Sequence, residues 1–160
     1  MSLPSRIVPY APICAAVGAA RGVDCWLLLA IIDRESGGGV YLSPRGPGGV
    51  GDSGHGHGLG QIDDRTWAQW LSTHDWTDPE INIGKAGEIL AANLSIFSDQ
   101  WDPEACAIAA YNCGPAKVWR AILSGIDQGD KLAHVDAGTT GGNYVADVRR
   151  RRDLFKTSTP

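Results

Sequence analysis

The chain has no run of eighteen or more apolar residues. Its longest apolar stretch, around Trp26 to Ile32, is closed by Asp24 and Asp33, so a membrane-spanning helix is excluded. Cys-x-x-Cys spacing is also absent from the four cysteines, Cys14, Cys25, Cys106 and Cys113, which argues against a zinc site. Cys106 and Cys113 are two helical turns apart, about 10 Å by the standard rise and too far to bridge within one helix. All four are read as free thiols. The Gly54-His-Gly-His-Gly-Leu-Gly60 stretch lacks both the Gly-x-Gly-x-x-Gly register and a following Gly-Lys-Ser/Thr, which excludes the two common nucleotide cradles. Positive charge is short as well. A net charge of −4 argues against a nucleic-acid partner. The single basic run, Arg149 to Arg152, points around most of a helix and reads as a solvated helix end. A clear export signal is missing: Pro9 and Pro12 interrupt the apolar N-terminal stretch, which reads instead as a short helix from Pro9 to Arg21 stopped by Gly22.

What is present is helix. The 160 residues, 43% of them hydrophobic, suffice for one domain, residues 1–160, with frayed ends at about 1–5 and 157–160. Asp24 is placed to cap a helix running to about Ser36. Asp63 or Asp64 caps one carrying Trp67, Trp70 and Leu71. Asp78-Pro79 and Asp102-Pro103 open two more, the first running through Phe97 and the second through Tyr111. Further helices are expected from Pro115 to Gly125 and from about Asn143 to Phe155. Trp67, Trp70 and Trp119 fall at helical spacing among aliphatic residues and are assigned to packing. The exception is Gly37 to Gly60, where eleven of twenty-four positions are glycine. Val40 to Leu42 and Leu59 to Ile62 are its candidates for short strands or turns, a small β element beside a helical body. So long an irregular segment inside a domain points to function.

Glu35 ends the apolar stretch and is followed at once by Ser36 and three glycines. A carboxyl delivered to the edge of a loop by a buried helix is partly desolvated, which favours its protonated form and suits a general acid. It is equally a residue that marks the solvated end of a helix. Asp52 within the Gly-rich loop and Asp63 at its exit are further carboxylates. Glycosidic cleavage with inversion needs an acid and, across a wider gap, a carboxylate that activates water. The structural alternatives are an Asx-turn for Asp52 and a helix cap for Asp63. His55 and His57, two positions apart in the loop, do not with Asp52 and Asp63 make a persuasive metal site, and no metal or cofactor is expected. Tyr111-Asn112, at the end of an apolar helix before Cys113-Gly114-Pro115, is placed to line a cleft.

Four separated stretches, Ile31-Ile-Asp-Arg-Glu-Ser36, Gly58-Leu-Gly-Gln-Ile-Asp63, Ala109-Ala-Tyr-Asn-Cys-Gly-Pro115 and Tyr144-Val145, resemble in order the motifs of goose-type lysozymes and soluble lytic transglycosylases. Gly51-Asp52 and Gly138-Thr-Thr140 resemble the goose-type branch in particular. The resemblance implies a mainly α, α+β lysozyme-like fold whose cleft takes peptidoglycan glycan strands. It further implies Glu35 as the acid for the bond between N-acetylmuramic acid and N-acetylglucosamine, Asp52 and Asp63 as the residues that hold or activate water, and Ser36, Gln61, Tyr111, Asn112 and Tyr144 as cleft residues. His57 falls near that cleft without a family role. The chain departs from the pattern in a longer loop between Glu35 and Asp52, in Cys113 where alanine is common, and in its acidic balance.

The expected function is therefore an inverting muramidase acting as a monomer on the cell wall, extracellular or periplasmic. A lytic transglycosylase giving 1,6-anhydro products is the alternative, and it needs no aspartate to activate water. A glycan-binding module that has lost catalysis is the second, and it has no use for an acid at Glu35.

Overall fold

The computed structural model describes residues 2–124 and 131–158. Helices dominate: α1 Ala11–Arg21, α2 Cys25–Ser36, α3 Asp64–Thr73, α4 Pro79–Ile96, α5 Pro103–Cys113, α6 Pro115–Ser124, α7 Lys131–Asp136 and α8 Tyr144–Lys156. A three-stranded antiparallel sheet, β1 Val50–Gly51, β2 Gly56–His57 and β3 Ile62–Asp63, accompanies them. Among the described residues no helix is long and apolar enough to cross a membrane.

The capping aspartates set most helix starts. Asp24 accepts from Trp26 N–H, Asp63 from Arg65 N–H and Asp102 from Ala105 N–H, while Asp78 accepts from Glu80 and Ile81. Each satisfies a backbone donor that the first helical turn leaves open. Gly22 and Gly37 stop α1 and α2 in the left-handed region, with φ of 67° and 58°. Gly125, the expected end of α6, and Met1, Thr159 and Pro160 of the expected frayed ends lie outside the described residues.

The chain divides into two compact units, Met1–Glu88 with Arg151–Pro160, and Ile89–Arg150. In the first, α2 is buried on every side from Leu27 to Ile32, as a helix apolar all round its circumference must be. Ile7, Cys14, Leu59, Ile62 and Ile83 complete that core. In the second unit α5 is buried from Ala105 to Ala110, joined by Leu90, Phe97, Val118, Val135 and Val145.

Three expectations are sharpened or corrected. Of the strands or turns expected at Val40 to Leu42 the chain takes the turn, because the backbone is spent locally: Tyr41 N–H donates to Ser36 O and Leu42 N–H to Gly39 O. The strands lie instead at Val50–Gly51 and Gly56–His57, and of Leu59 to Ile62 only Ile62 enters the sheet. Trp67, Trp70 and Trp119 are half-buried rather than core. The Lys85 ammonium lies 3.7 Å from the Trp67 ring centroid, a cation–π contact that suits an aromatic face open on one side. Finally, Arg149 to Arg152 are not a solvated end. Arg149 pairs with Asp102 and Glu104 at 2.7 and 3.0 Å, Arg151 with the buried Asp33, and only Arg150 is largely exposed. Unlike lysines on a solvated face, the guanidiniums of Arg149 and Arg151 present planar donor forks to part-buried carboxylates at Asp102 and Glu104 and to the buried one at Asp33. All four cysteines are free thiols.

Candidate active site

Glu35 is the penultimate residue of α2 and is half-buried. What fixes it is the helix end around it. Two residues earlier, the Asp33 side chain is 1% exposed and takes Arg6 Nε at 2.7 Å and Arg6 Nη2 at 3.0 Å. Arg151 Nη1 donates to the same carboxylate. On the other side Ser36 is fully buried, its hydroxyl donating to Ile32 O at 3.1 Å and accepting from Gly39 N–H at 3.3 Å. Ser36 thereby braces the last turn of α2 and the Gly-rich exit.

The Gly-rich segment next builds the sheet, with Val50 opposite His57 and Gly56 opposite Asp63. Asp52 sits at the tip of the β1–β2 hairpin with φ of 46°, in the left-handed region where a short polar side chain is tolerated. Gln61, also at positive φ, folds back under the hairpin and donates to Gly58 O at 2.8 Å and Gly56 O at 3.3 Å. Its amide oxygen is so close to the sheet that a Cβ on Gly51 or Gly56 would come within 2.3 or 2.2 Å of it. From α4, the wholly buried Asn82 accepts from Gly60 N–H and donates to the carbonyls of His57 and Trp76. Gln61 and Asn82 thus fix the loop between β2 and β3 from two sides.

Asp52 and Asp63 are brought together by Arg65. Its Nη2 lies 2.7 Å from Asp52 Oδ2 and 2.5 Å from Asp63 Oδ2, and its Nε lies 3.0 Å from Asp63 Oδ1. These hydrogen bonds hold the Asp63 carboxyl below the usual carboxylate range and raise the guanidinium in return. Asp63 therefore caps α3 and is ion-paired at once, while the Asp52 side chain stays 61% exposed with Arg65 as its partner. Asp64, the next residue, accepts from His55 Nδ1 at 2.9 Å and is 3.5 Å from His57 Nε2.

The remaining expected residues belong to the second unit. Tyr111 and Asn112 close α5 and are half-buried. Asn112 Oδ1 accepts from Thr140 N–H at 2.8 Å, tying the Gly138-Thr-Thr140 loop to the end of α5. Tyr144 is 2% exposed as the first residue of α8. There the buried Asp136 receives the N–H groups of Val145 and Ala146. A cavity of about 610 Å³ in this unit is lined by residues such as Lys117, Val118, Leu123 and His134, and by none of the expected site residues.

Arg65, Asp33, Asn82 and Asp136 escaped the sequence reading. For Arg65 a signal existed: in Asp63-Asp64-Arg65 a guanidinium follows a capping carboxylate at the distance where both meet. For Asp33 and Asn82 nothing local betrays partners tens of residues away.

The family model described as Lysozyme g matches residues 4–159. A lysozyme g of Cyprinus carpio is 30% identical over 154 residues, covering 92% of this chain and 73% of its own length. One of Struthio camelus is 29% identical over 153 residues, covering 92% and 66%, and one of Epinephelus coioides 30% over 156 residues, covering 89% and 72%. With the helical body, the small sheet and the motif residues in family order, the chain belongs to the goose-type lysozymes, a family of glycoside hydrolases that act as muramidases.

Proposed function

We propose that the chain hydrolyses the β-1,4 bond between N-acetylmuramic acid and N-acetylglucosamine in peptidoglycan strands, with inversion at the anomeric carbon. The observation that carries this is the Asp52–Arg65–Asp63 bridge, which gathers two carboxylates on one guanidinium and holds Asp63 below its usual range, while a separate carboxyl, Glu35, is delivered by a buried helix. Two carboxyl environments that differ this much suit an acid and a water-activating base.

In this mechanism Glu35 protonates the leaving oxygen. Its half-burial at a helix C-terminus, where the backbone dipole disfavours negative charge, supports the protonated form. The hairpin carboxylates take the opposite role. Asp63 spends both oxygens on Arg65 and the cap of α3, which makes it a weak base and a firm anchor. Asp52 has one oxygen on Arg65 and the other with no donor among the described residues, so Asp52 is the group that takes the proton of the attacking water. Gln61 and Ser36 hold the loop and helix end in place. Tyr111, Asn112 and Tyr144 join the proposal on the family resemblance, with residues 1–160 treated as one catalytic domain. The substrate sets the place of action, the cell wall outside the cytoplasm, and the enzyme works there as a monomer.

The test is digestion of purified peptidoglycan in isotopically heavy water, analysed by mass spectrometry. Hydrolysis labels the new reducing ends. Unlabelled 1,6-anhydro products from the parent enzyme refute it in favour of transglycosylation. Glu35→Gln is expected to abolish wall clearing, and clearing at the parent rate excludes Glu35 as the acid.

A further inference from the structure

The hairpin that carries Asp52 is tied to the start of α3 on two sides, and only one of them is Arg65. On the other side Asp64 N–H donates to His55 O at 3.1 Å, and the Asp64 carboxylate faces both imidazoles. His55 Nδ1 is at hydrogen-bond distance, 2.9 Å. His57 Nε2, at 3.5 Å, is in ion-pair range but beyond a good hydrogen bond, and neither ring nitrogen of His57 has a hydrogen-bond partner in the structure. The His57 ring is held in place from behind by Trp76, edge-on at 4.8 Å, and its side chain is 18% exposed.

The charges around this hairpin do not balance while the imidazoles are neutral. Among the described residues Asp52, Asp63 and Asp64 face Arg65 as their one permanent cation, so three negative charges meet one positive. Protonating His55 and His57 supplies the two missing positive charges, and histidine is the side chain whose charge changes near neutral pH. The charged and titratable groups facing the imidazoles are Asp64 and Asp63 from β3 and α3, with Arg65 and the hairpin's own Asp52 beyond them. Trp76 and Asn82, the other neighbours of His57, carry no charge.

We propose that His55, His57 and Asp64 are positioning residues for the Asp52 and Asp63 pair, a proton-dependent clamp that draws the hairpin onto the first turn of α3. This rests on the assignment of those aspartates to the attacking water. Protonated imidazoles close the clamp and hold Asp52 at the distance that Arg65 sets. Deprotonation removes the charged His57 contact and leaves His55 a neutral hydrogen bond beside the backbone bond from Asp64, so Arg65 is then the one charged contact among the described residues that still holds the hairpin tip. The lowering of the Asp64 carboxyl by His55 and then His57 has the sign this requires: the pairing favours the ionised carboxylate.

The experiment is the pH dependence of kcat and KM on soluble peptidoglycan strands for the parent, Asp64→Asn, Asp64→Glu and the double variant His55→Gln/His57→Gln, with NMR titration of the histidine rings. In the parent, the alkaline fall of kcat follows the ring titration of His55 and His57. Asp64→Asn lowers kcat at the parent's optimum by about tenfold, short of the ~100-fold that a misplacement of ~1 Å can cost. KM stays within about twofold of the parent value, and Asp64→Glu recovers part of kcat. Profiles of Asp64→Asn that superimpose on the parent's overturn the clamp. Should Asp64→Asn fail to fold, the histidine double variant carries the test: loss of the alkaline limb supports the clamp and its persistence refutes it. Full labelled-product activity in Asp52→Asn and Asp63→Asn alike refutes the role of the aspartates, whereas the ring titrations report on the clamp whatever the products are.

Discussion

Replacing Asp33 by asparagine tests how Glu35 is held. The change keeps the shape of the side chain and removes only its charge, at a site 1% exposed and met by two guanidiniums. Breaking a buried ion pair by deleting one partner costs about 3–5 kcal/mol. Arg6 is 34% and Arg151 18% exposed at the side chain, so water recovers part of the loss, and the lower end, about 3 kcal/mol, applies. For a domain of this size each kcal/mol moves Tm by about 2–4 °C, giving a fall of about 6–12 °C by circular dichroism. Arg6→Ala is expected to cost less, about 1 kcal/mol, because its guanidinium is one-third exposed and Arg151 still neutralises Asp33. Since Asp33 anchors the turn from which Glu35 projects, Asp33→Asn should also lower kcat at temperatures where the variant remains folded. A Tm within about 2 °C of the parent's shows that the two arginines do not anchor the end of α2, and the reasoning fails.

Arg65→Gln is expected to raise the Asp63 carboxyl toward its ordinary range, measured by NMR of the carboxyl carbon. The folded value lies below the unfolded one, so the stability it contributes is present above the ordinary aspartate range and lost as pH falls through the lowered value; an unmoved titration excludes Arg65 as the cause. Gly56→Ala places a Cβ 2.2 Å from Gln61 Oε1 and should cost about 1–3 kcal/mol through displaced packing. Gly84→Ala, where a Cβ meets nothing within 4 Å inside α4, should stabilise by up to about 1 kcal/mol, and equal effects at both sites in urea unfolding contradict the packing argument. Burial pushes the Cys14 thiol up to about 12 and the Cys106 thiol up to about 11. Both should therefore resist a disulfide reagent at pH 8 until the chain unfolds, and their rapid reaction in the native protein shows that they are not enclosed as described.

Local chemistry was legible in the sequence, and partnership across the chain was not. Asp24, Asp63 and Asp102 announce helices because a cap acts on a backbone N–H two or three residues away. The sheet was misplaced because each strand is two residues long and its partners Gly51, Gly56 and Gln61 show no alternation of apolar and polar positions. α7 went unseen because six residues are too few to establish a helical period. The arginine run was read as solvated because its carboxylates lie 47 and 118 residues away, at Asp102 and Asp33, a separation that no pattern within the run encodes. Of the candidate site, Glu35, Asp52 and Asp63 were visible as residues, whereas the guanidinium joining the two aspartates was not, because Arg65 is simply the third residue of a helix start until the hairpin folds over it.

The proposed acid and the proposed water-side aspartates are held by different physics, each suited to where it would work. Under the proposed mechanism the acid is carried at the half-buried end of a helix that is enclosed from Leu27 to Ile32, and its last turn is anchored by the pairing of Asp33 with Arg6 and Arg151. The carboxylates proposed to meet water sit instead on an exposed part of the sheet, where charge rather than burial places them: Arg65 on one side, the imidazoles on the other. The glycines serve this second arrangement. They let the hairpin lie flat against the Gln61 amide, close enough that the side chains of Asp52 and Arg65 meet across it. Under the proposed clamp the like charges gathered there meet Arg65 and, when protonated, the two imidazoles, and that makes the hairpin, not the buried helix, the place where proton concentration would tune the enzyme.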